Sequence, residues 1–69
     1  MNETIEVWIN QARHPLPSGA TLLDAIAAAG VEPPFAAAVN LEFVPKRQHA
    51  THVLFAGDQI ELIAPITGG

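Results

Sequence analysis

The chain contains no cysteine, which excludes disulfides, thiolate metal sites and a cysteine nucleophile. Cations are almost as scarce: Arg13, Lys46 and Arg47 stand against seven carboxylates, for a formal net charge of -4. Phosphate binding needs a basic patch, so nucleic acid is not an expected partner. No apolar run approaches the roughly 20 residues that a membrane helix needs. The first residues, Met1-Asn2-Glu3-Thr4, place no basic stretch ahead of an apolar one, so no secretory signal is read there. A soluble, cytoplasmic chain with no membrane partner is the expectation. A phosphate-cradling glycine-rich loop is also missing, so this chain is not expected to bind a nucleotide itself.

What is present is a sequence of 69 residues, 49% hydrophobic and 14% charged. That composition does not suit a disordered tail. The length allows one domain, spanning residues 1–69, with a small core worth about 3 to 5 kcal/mol net. A deep catalytic cleft is not expected in so small a body.

Thr4-Ile5-Glu6-Val7-Trp8-Ile9 alternates with a period of two, predicting a strand with Ile5, Val7 and Ile9 inward and Glu6 and Trp8 outward. Asn10 to Arg13 reads as a hairpin loop into a brief second strand at His14-Pro15-Leu16, where neighbouring prolines argue for a sheet edge. Thr21-Leu22-Leu23-Asp24 fits a capping box. The helix it opens is predicted over Leu22 to Ala29, with Leu22, Leu23, Ile26 and Ala29 as the apolar stripe and Gly30 as the left-handed cap, Val31 folding back on Ile26. Ala36–Val39 and Glu42–Val44 read as strands around Asn40-Leu41. Leucine resists positive φ, which favours a longer or bulged connection over a two-residue turn. Lys46 to Ala50 suggests a short helical turn. Ala56-Gly57-Asp58 turns into a last strand, Gln59–Ile63, with Ile60 and Leu62 inward. The order of elements predicts an α+β roll: a mixed sheet with one helix on one face.

The chain closes on Ile66-Thr67-Gly68-Gly69. Two glycines contribute little to a core, and a terminus without side chains suits threading a narrow channel to present its α-carboxylate. The opposing reading is a frayed end. Ala38-Val39-Asn40, Val44-Pro45-Lys46, Gly57-Asp58-Gln59-Ile60-Glu61 and Gly68-Gly69, in this order and spacing, resemble the thiamin-biosynthesis sulfur carrier family across the whole chain. His49, where that family often has Trp, and Leu41, in place of a more turn-compatible residue, depart from the pattern. The resemblance implies a ubiquitin-like β-grasp fold. It further implies that the Gly69 carboxylate is adenylated by an E1-like enzyme, converted to a thiocarboxylate and used by thiazole synthase, with Thr67 and Gly68 threading the tail. ATP, magnesium and the sulfur would then come from partners, including a sulfur donor protein. The chain itself would be a cofactor-free carrier and co-substrate, monomeric when free. Two other readings stand: the small subunit of molybdopterin synthase, which shares the fold, and a non-covalent β-grasp interaction module whose diglycine is incidental.

Residues 64–69 are expected to form a flexible arm, since Pro65 breaks any ladder. Trp8 and Ile63, outward in their strands, are candidate docking residues on the helix-free face. Lys46 and Arg47 are a second candidate pair for acidic groups of a partner. His49 and His52, at a spacing of three, lack a third ligand and read as surface residues rather than a metal site. Asp58 and Glu61 read as a solvated turn and strand face rather than paired catalytic carboxylates.

Overall fold

The computed structural model of the chain describes residues 3–64. Strand β1, Thr4–Ile9, buries Val7 and Ile9 and leaves Glu6 and Trp8 on the other side, as its alternation predicts. Strand β2 is longer than the sequence suggests. It runs Ala12–Pro17, because the hairpin consumes only Asn10 and Gln11, at φ 50° and 71°. Positive φ at both central residues is the pattern of a type I′ turn, whose twist matches the flanking strands. Ser18 donates its N–H to Glu3 O at 2.8 Å, which fixes the alternation along β2. The nitrogens of Pro15 and Pro17 therefore face the open edge, where no ladder bond is lost.

Helix α1, Leu22–Ala29, begins at the expected capping box: Thr21 Oγ1 accepts from the Asp24 amide at 3.4 Å, and Asp24 Oδ2 accepts from the Thr21 amide at 2.9 Å. The irregular segment before the last strand satisfies two more first-turn donors. Leu22 N–H donates to His52 O and Leu23 N–H to His49 O, each at 2.9 Å. Gly30, at φ 71°, ends the helix with its N–H shared between Ile26 O and Ala27 O. The buried stripe is Leu22, Ala25 and Ile26, with Ala29 partly buried. Leu23 departs from expectation at 48% exposed, because it lies about 100° around the helix from Leu22 and off the i, i+3, i+4, i+7 face.

Strands β3 (Ala36–Val39), β4 (Glu42–Val44) and β5 (Gln59–Ile63) complete one sheet in the order β2-β1-β5-β3-β4. Among the described residues, only β1 and β5 pair in parallel, with Trp8 beside Gln59 and Ile9 beside Ile60. The expected helical turn after β4 is a 3₁₀ turn at Lys46–Gln48. The connection at Asn40-Leu41 overturns the expected longer or bulged loop: Val39 faces Glu42 directly, and Asn40 and Leu41 take φ 50° and 71°. The core lies between α1 and one sheet face, around Val7, Ile9, Leu22, Leu54 and Ile60. Among the described residues, no helix is long and apolar enough to cross a membrane.

Candidate docking surfaces

Asparagine side chains grip β5 from both sides. Asn10 Oδ1 accepts from the Leu62 amide at 2.9 Å, and its Nδ2 donates to Leu62 O at 3.2 Å, so the carboxamide acts as one further peptide unit of the β1 ladder. On the opposite edge, Asn40 Oδ1 accepts from the Gln59 amide at 3.0 Å and Nδ2 donates to Asp58 Oδ1 at 3.1 Å. The Asn40 N–H also reaches Gln59 O at 2.7 Å. Asn is the side chain that both tolerates left-handed φ and can reach a neighbouring strand in this way. Asp58 Oδ2 accepts from the Phe55 amide at 2.9 Å. Its carboxylate therefore organises the turn around Gly57, at φ 86°, and does not face Glu61 as a catalytic partner.

Beyond β5 the sequence continues to Thr67, Gly68 and Gly69. These three, and all of the expected 64–69 arm except Ala64, lie outside the described residues.

The helix-free face carries Glu6, Trp8, Gln59, Glu61 and Ile63, with Ala36, Ala38 and Phe43. Trp8 is 39% exposed and Ile63 59%, so both point outward as expected. They are not adjacent. The parallel register puts Trp8 beside Gln59 at the start of β5, and Ile63 lies four residues further on, about 13 Å along the strand. Trp8 instead borders a cavity of 420 Å³ with Leu41, Gln59 and Glu61. Ile63 faces Ala36 across the β3–β5 pair; Phe43, 67% exposed, lies on β4 beside Ala38, in the row of Glu61 and not of Ile63. Phe43 was the residue missing from the sequence reading of this face. Its signal was the alternation in Glu42-Phe43-Val44, which sends Phe43 outward once Val44 is inward.

Lys46 and Arg47 lie away from Trp8, on the 3₁₀ turn that follows β4. Among the described residues, the one ion pair is Arg13 Nη1 to Glu6 Oε1 at 3.7 Å, both well exposed, so neither Lys46 nor Arg47 has a carboxylate within 4.0 Å there. Lys46 lines a second groove of 760 Å³, between α1, the connector into β3 and β4. The four candidate docking residues thus divide between two surfaces.

His49 is a core residue, contrary to the surface role read for it. It is 6% exposed, its Nε2 lies 3.1 Å from Val44 O, and its ring stacks on Phe35 with centroids 6.1 Å apart. A carbonyl only accepts, so Nε2 carries the proton in that bond. An imidazole here fills an apolar site and satisfies Val44 O together. No group of three potential metal ligands occurs among the described residues.

Residues 3–69 match the model of the ThiS family. A search of the curated proteins finds none that matches. Among solved structures, the thiamine biosynthesis protein (ThiS) from Geobacter metallireducens matches with a TM-score of 0.77, covering 94% of this chain and 100% of that one at 14% identity. At that identity the likeness speaks for the fold, and the mixed five-stranded sheet with one helix is the same β-grasp.

Proposed function

The chain belongs to the ThiS family, and from that membership we propose that it is a sulfur carrier of thiamin biosynthesis whose reacting group is the α-carboxylate of Gly69. An ionised carboxylate is a poor electrophile. Attack by sulfur therefore requires activation. An E1-like partner joins the carboxylate to the α-phosphate of ATP and releases pyrophosphate; a sulfide-level nucleophile from a sulfur donor protein then displaces AMP to leave a thiocarboxylate. Thiazole synthase consumes that sulfur and returns the carboxylate. ATP and magnesium belong to the activating enzyme. This chain, with no cysteine for a thioester of its own, is the co-substrate in every step.

In this reading the folded body selects the partner and the terminal residues deliver the carboxylate. Glycine at positions 68 and 69 leaves the approach free of Cβ atoms, with Thr67 behind them. Trp8 and Ile63 at opposite ends of the helix-free face, with Phe43 on β4 level with its middle, supply apolar anchors within a rim of Glu6 and Glu61, the composition of an interface hot spot. The observation that carries the proposal is the family match over residues 3–69, which includes the diglycine.

Intact-mass measurement tests it, after co-expression with an activating enzyme and a sulfur source. The expected result is a gain equal to the replacement of one oxygen by sulfur. That gain should be absent when Gly69 is deleted or a residue is appended, since the carboxylate then moves by about 3.3 Å, and absent in Gly68→Val. An unmodified wild-type chain would overturn the carrier reading and leave a non-covalent β-grasp module. A gain retained by the Gly69 deletion would overturn the assignment of the reacting group.

A further inference from the structure

The 760 Å³ groove lies on a different part of the molecule from the helix-free face and meets it only at the corner formed by Ala36 and Phe43. Its walls are Leu23 and Ile26 of α1, Val31 and Phe35 of the connector, and Phe43 of β4. Leu23 is 48% exposed and Phe43 67%, so two of its large apolar lining residues are open to solvent. The volume is in the range of sites that seat several side chains of a ligand.

The charge is as one-sided as the lining. Seven carboxylates give the chain its net -4, yet none lines the groove; Glu32 and Glu42, neighbours of lining residues in sequence, do not contribute to it. Lys46 does, and Arg47 follows it. Among the described residues neither cation has a carboxylate within 4.0 Å. An acidic partner is repelled by most of this surface and attracted here.

A main-chain handle lies beside the apolar walls. β4 is an edge strand, and Val39 and Glu42 close its hairpin. The ladder alternation therefore turns the main-chain groups of Glu42 and Val44 toward β3, and those of Phe43 toward the open edge. An extended peptide can use that N–H and C=O. A fatty acid or a detergent cannot.

We propose that this groove is a second docking site, for an extended protein segment that presents apolar side chains followed by a carboxylate. The apolar residues sit on Leu23, Val31, Phe35 and Phe43, the main chain pairs with Phe43, and the carboxylate meets Lys46 with Arg47 beside it. This does not depend on the sulfur-carrier reading. It leaves Trp8 and Ile63 free and shares only Ala36 and Phe43 with the helix-free face, so the two sites meet at that corner.

The test titrates the full chain, followed by its amide spectrum, with a short peptide of alternating leucine and serine, blocked at both ends and ending in aspartate. A second peptide ends in lysine, and decanoate serves as a lipid control. Saturable shifts are expected at Leu23, Val31, Phe43 and Lys46. The aspartate peptide should bind about two- to fivefold tighter than the lysine peptide, the range an exposed ion pair supplies, and Lys46→Gln should erase the difference. Leu23→Ser, half-exposed on its helix and verified as folded by thermal melt, should weaken the aspartate peptide about tenfold. Absence of saturable shifts in the groove, or equal affinity for the two peptides in the wild type, would overturn the proposal. Decanoate binding as tightly as the aspartate peptide would also overturn it in favour of a lipid. Shifts of the same residues on raising protein concentration alone would replace the peptide with a second copy of the chain.

Discussion

Asn40 supports its turn in two separable ways, and two substitutions divide them. The residue holds φ 50°, a conformation that costs an L-residue without a local hydrogen bond about 1 to 2 kcal/mol. Its carboxamide also accepts from Gln59 N at 3.0 Å and donates to Asp58 Oδ1 at 3.1 Å, at an exposed site where each bond contributes about 0.5 to 1 kcal/mol net. Asn40→Gly keeps the backbone at ease and removes both bonds, so it should destabilise by about 1 to 2 kcal/mol. Asn40→Ala removes the bonds and adds the strain, for about 2 to 4 kcal/mol in total. A chain of 69 residues has roughly 3 to 10 kcal/mol of stability to lose, so the alanine variant should melt roughly 10 °C or more below wild type. Urea unfolding followed by the fluorescence of Trp8, the single tryptophan, gives both values, provided the slope with denaturant is unchanged. Equal stability of the glycine and alanine variants would refute the left-handed turn. A glycine variant as stable as wild type would refute the side-chain clamp.

Leu41 makes no comparable contact: it holds φ 71° and is 88% exposed. Leu41→Gly should therefore leave stability unchanged or raise it by up to about 1 kcal/mol, strain relief outweighing the added entropy of the unfolded chain; a clear loss in the same urea assay would contradict this. Gly30→Ala should cost about 1 kcal/mol, all of it conformational, because a Cβ added there meets nothing within 4 Å. His49→Ala should cost about 2 to 4 kcal/mol, since it opens a cavity against Phe35 and removes the imidazole bond to Val44 O, and calorimetry showing less than about 1 kcal/mol would return His49 to the surface role read from sequence. Trp8→Ala and Ile63→Ser should each weaken binding to the activating enzyme, Trp8→Ala by about 2 kcal/mol if it is a central anchor. Their effects should add, because about 13 Å of strand separates the two sites; strong coupling in a titration of the double variant would mean that the two side chains share one contact.

The elements that were legible in the sequence are those whose causes are local. The capping box needs only Thr21 and Asp24, and the left-handed stop needs only Gly30, so α1 was readable to the residue. The two hairpins were misread for the opposite reason. A rule based on the turn residues alone disfavours Asn40-Leu41. What holds the pair there is a bond to Gln59, 19 residues away in sequence. Asn10 is held likewise by Leu62, 52 residues on, and a tight Asn10-Gln11 turn is what lengthens β2. His49 follows the same logic, since its burial depends on Phe35 and Val44 arriving from other segments, and a spacing of three from His52 carries no trace of either.

The inward and outward phase of each strand was also legible, but the register between strands was not, and register changes how the candidate surface works. Trp8 and Ile63 lie at opposite ends of β5 because Trp8 pairs with Gln59. Ile63 is at the end where the chain continues toward Gly69, with Ala36 opposite; Phe43 lies on the strand beyond β3, level with Glu61. Both asparagine clamps act on this strand. The Asn40 clamp holds the start of β5 at Gln59, and the Asn10 clamp at Leu62 holds the end from which the chain continues, beside the β3 ladder at Ile63. For a carrier docked through this face as proposed above, the register gives Trp8 and Ile63 unequal roles. In that docking mode, contacts at Ile63 set where the terminal segment enters a partner, so errors there should displace the carboxylate and be felt in the rate of adenylation. Contacts at Trp8, remote from that exit, contribute mainly to affinity. A substitution at Ile63 should thus lower kcat of the activating enzyme toward this chain as well as raise KM, whereas one at Trp8 should appear almost wholly in KM.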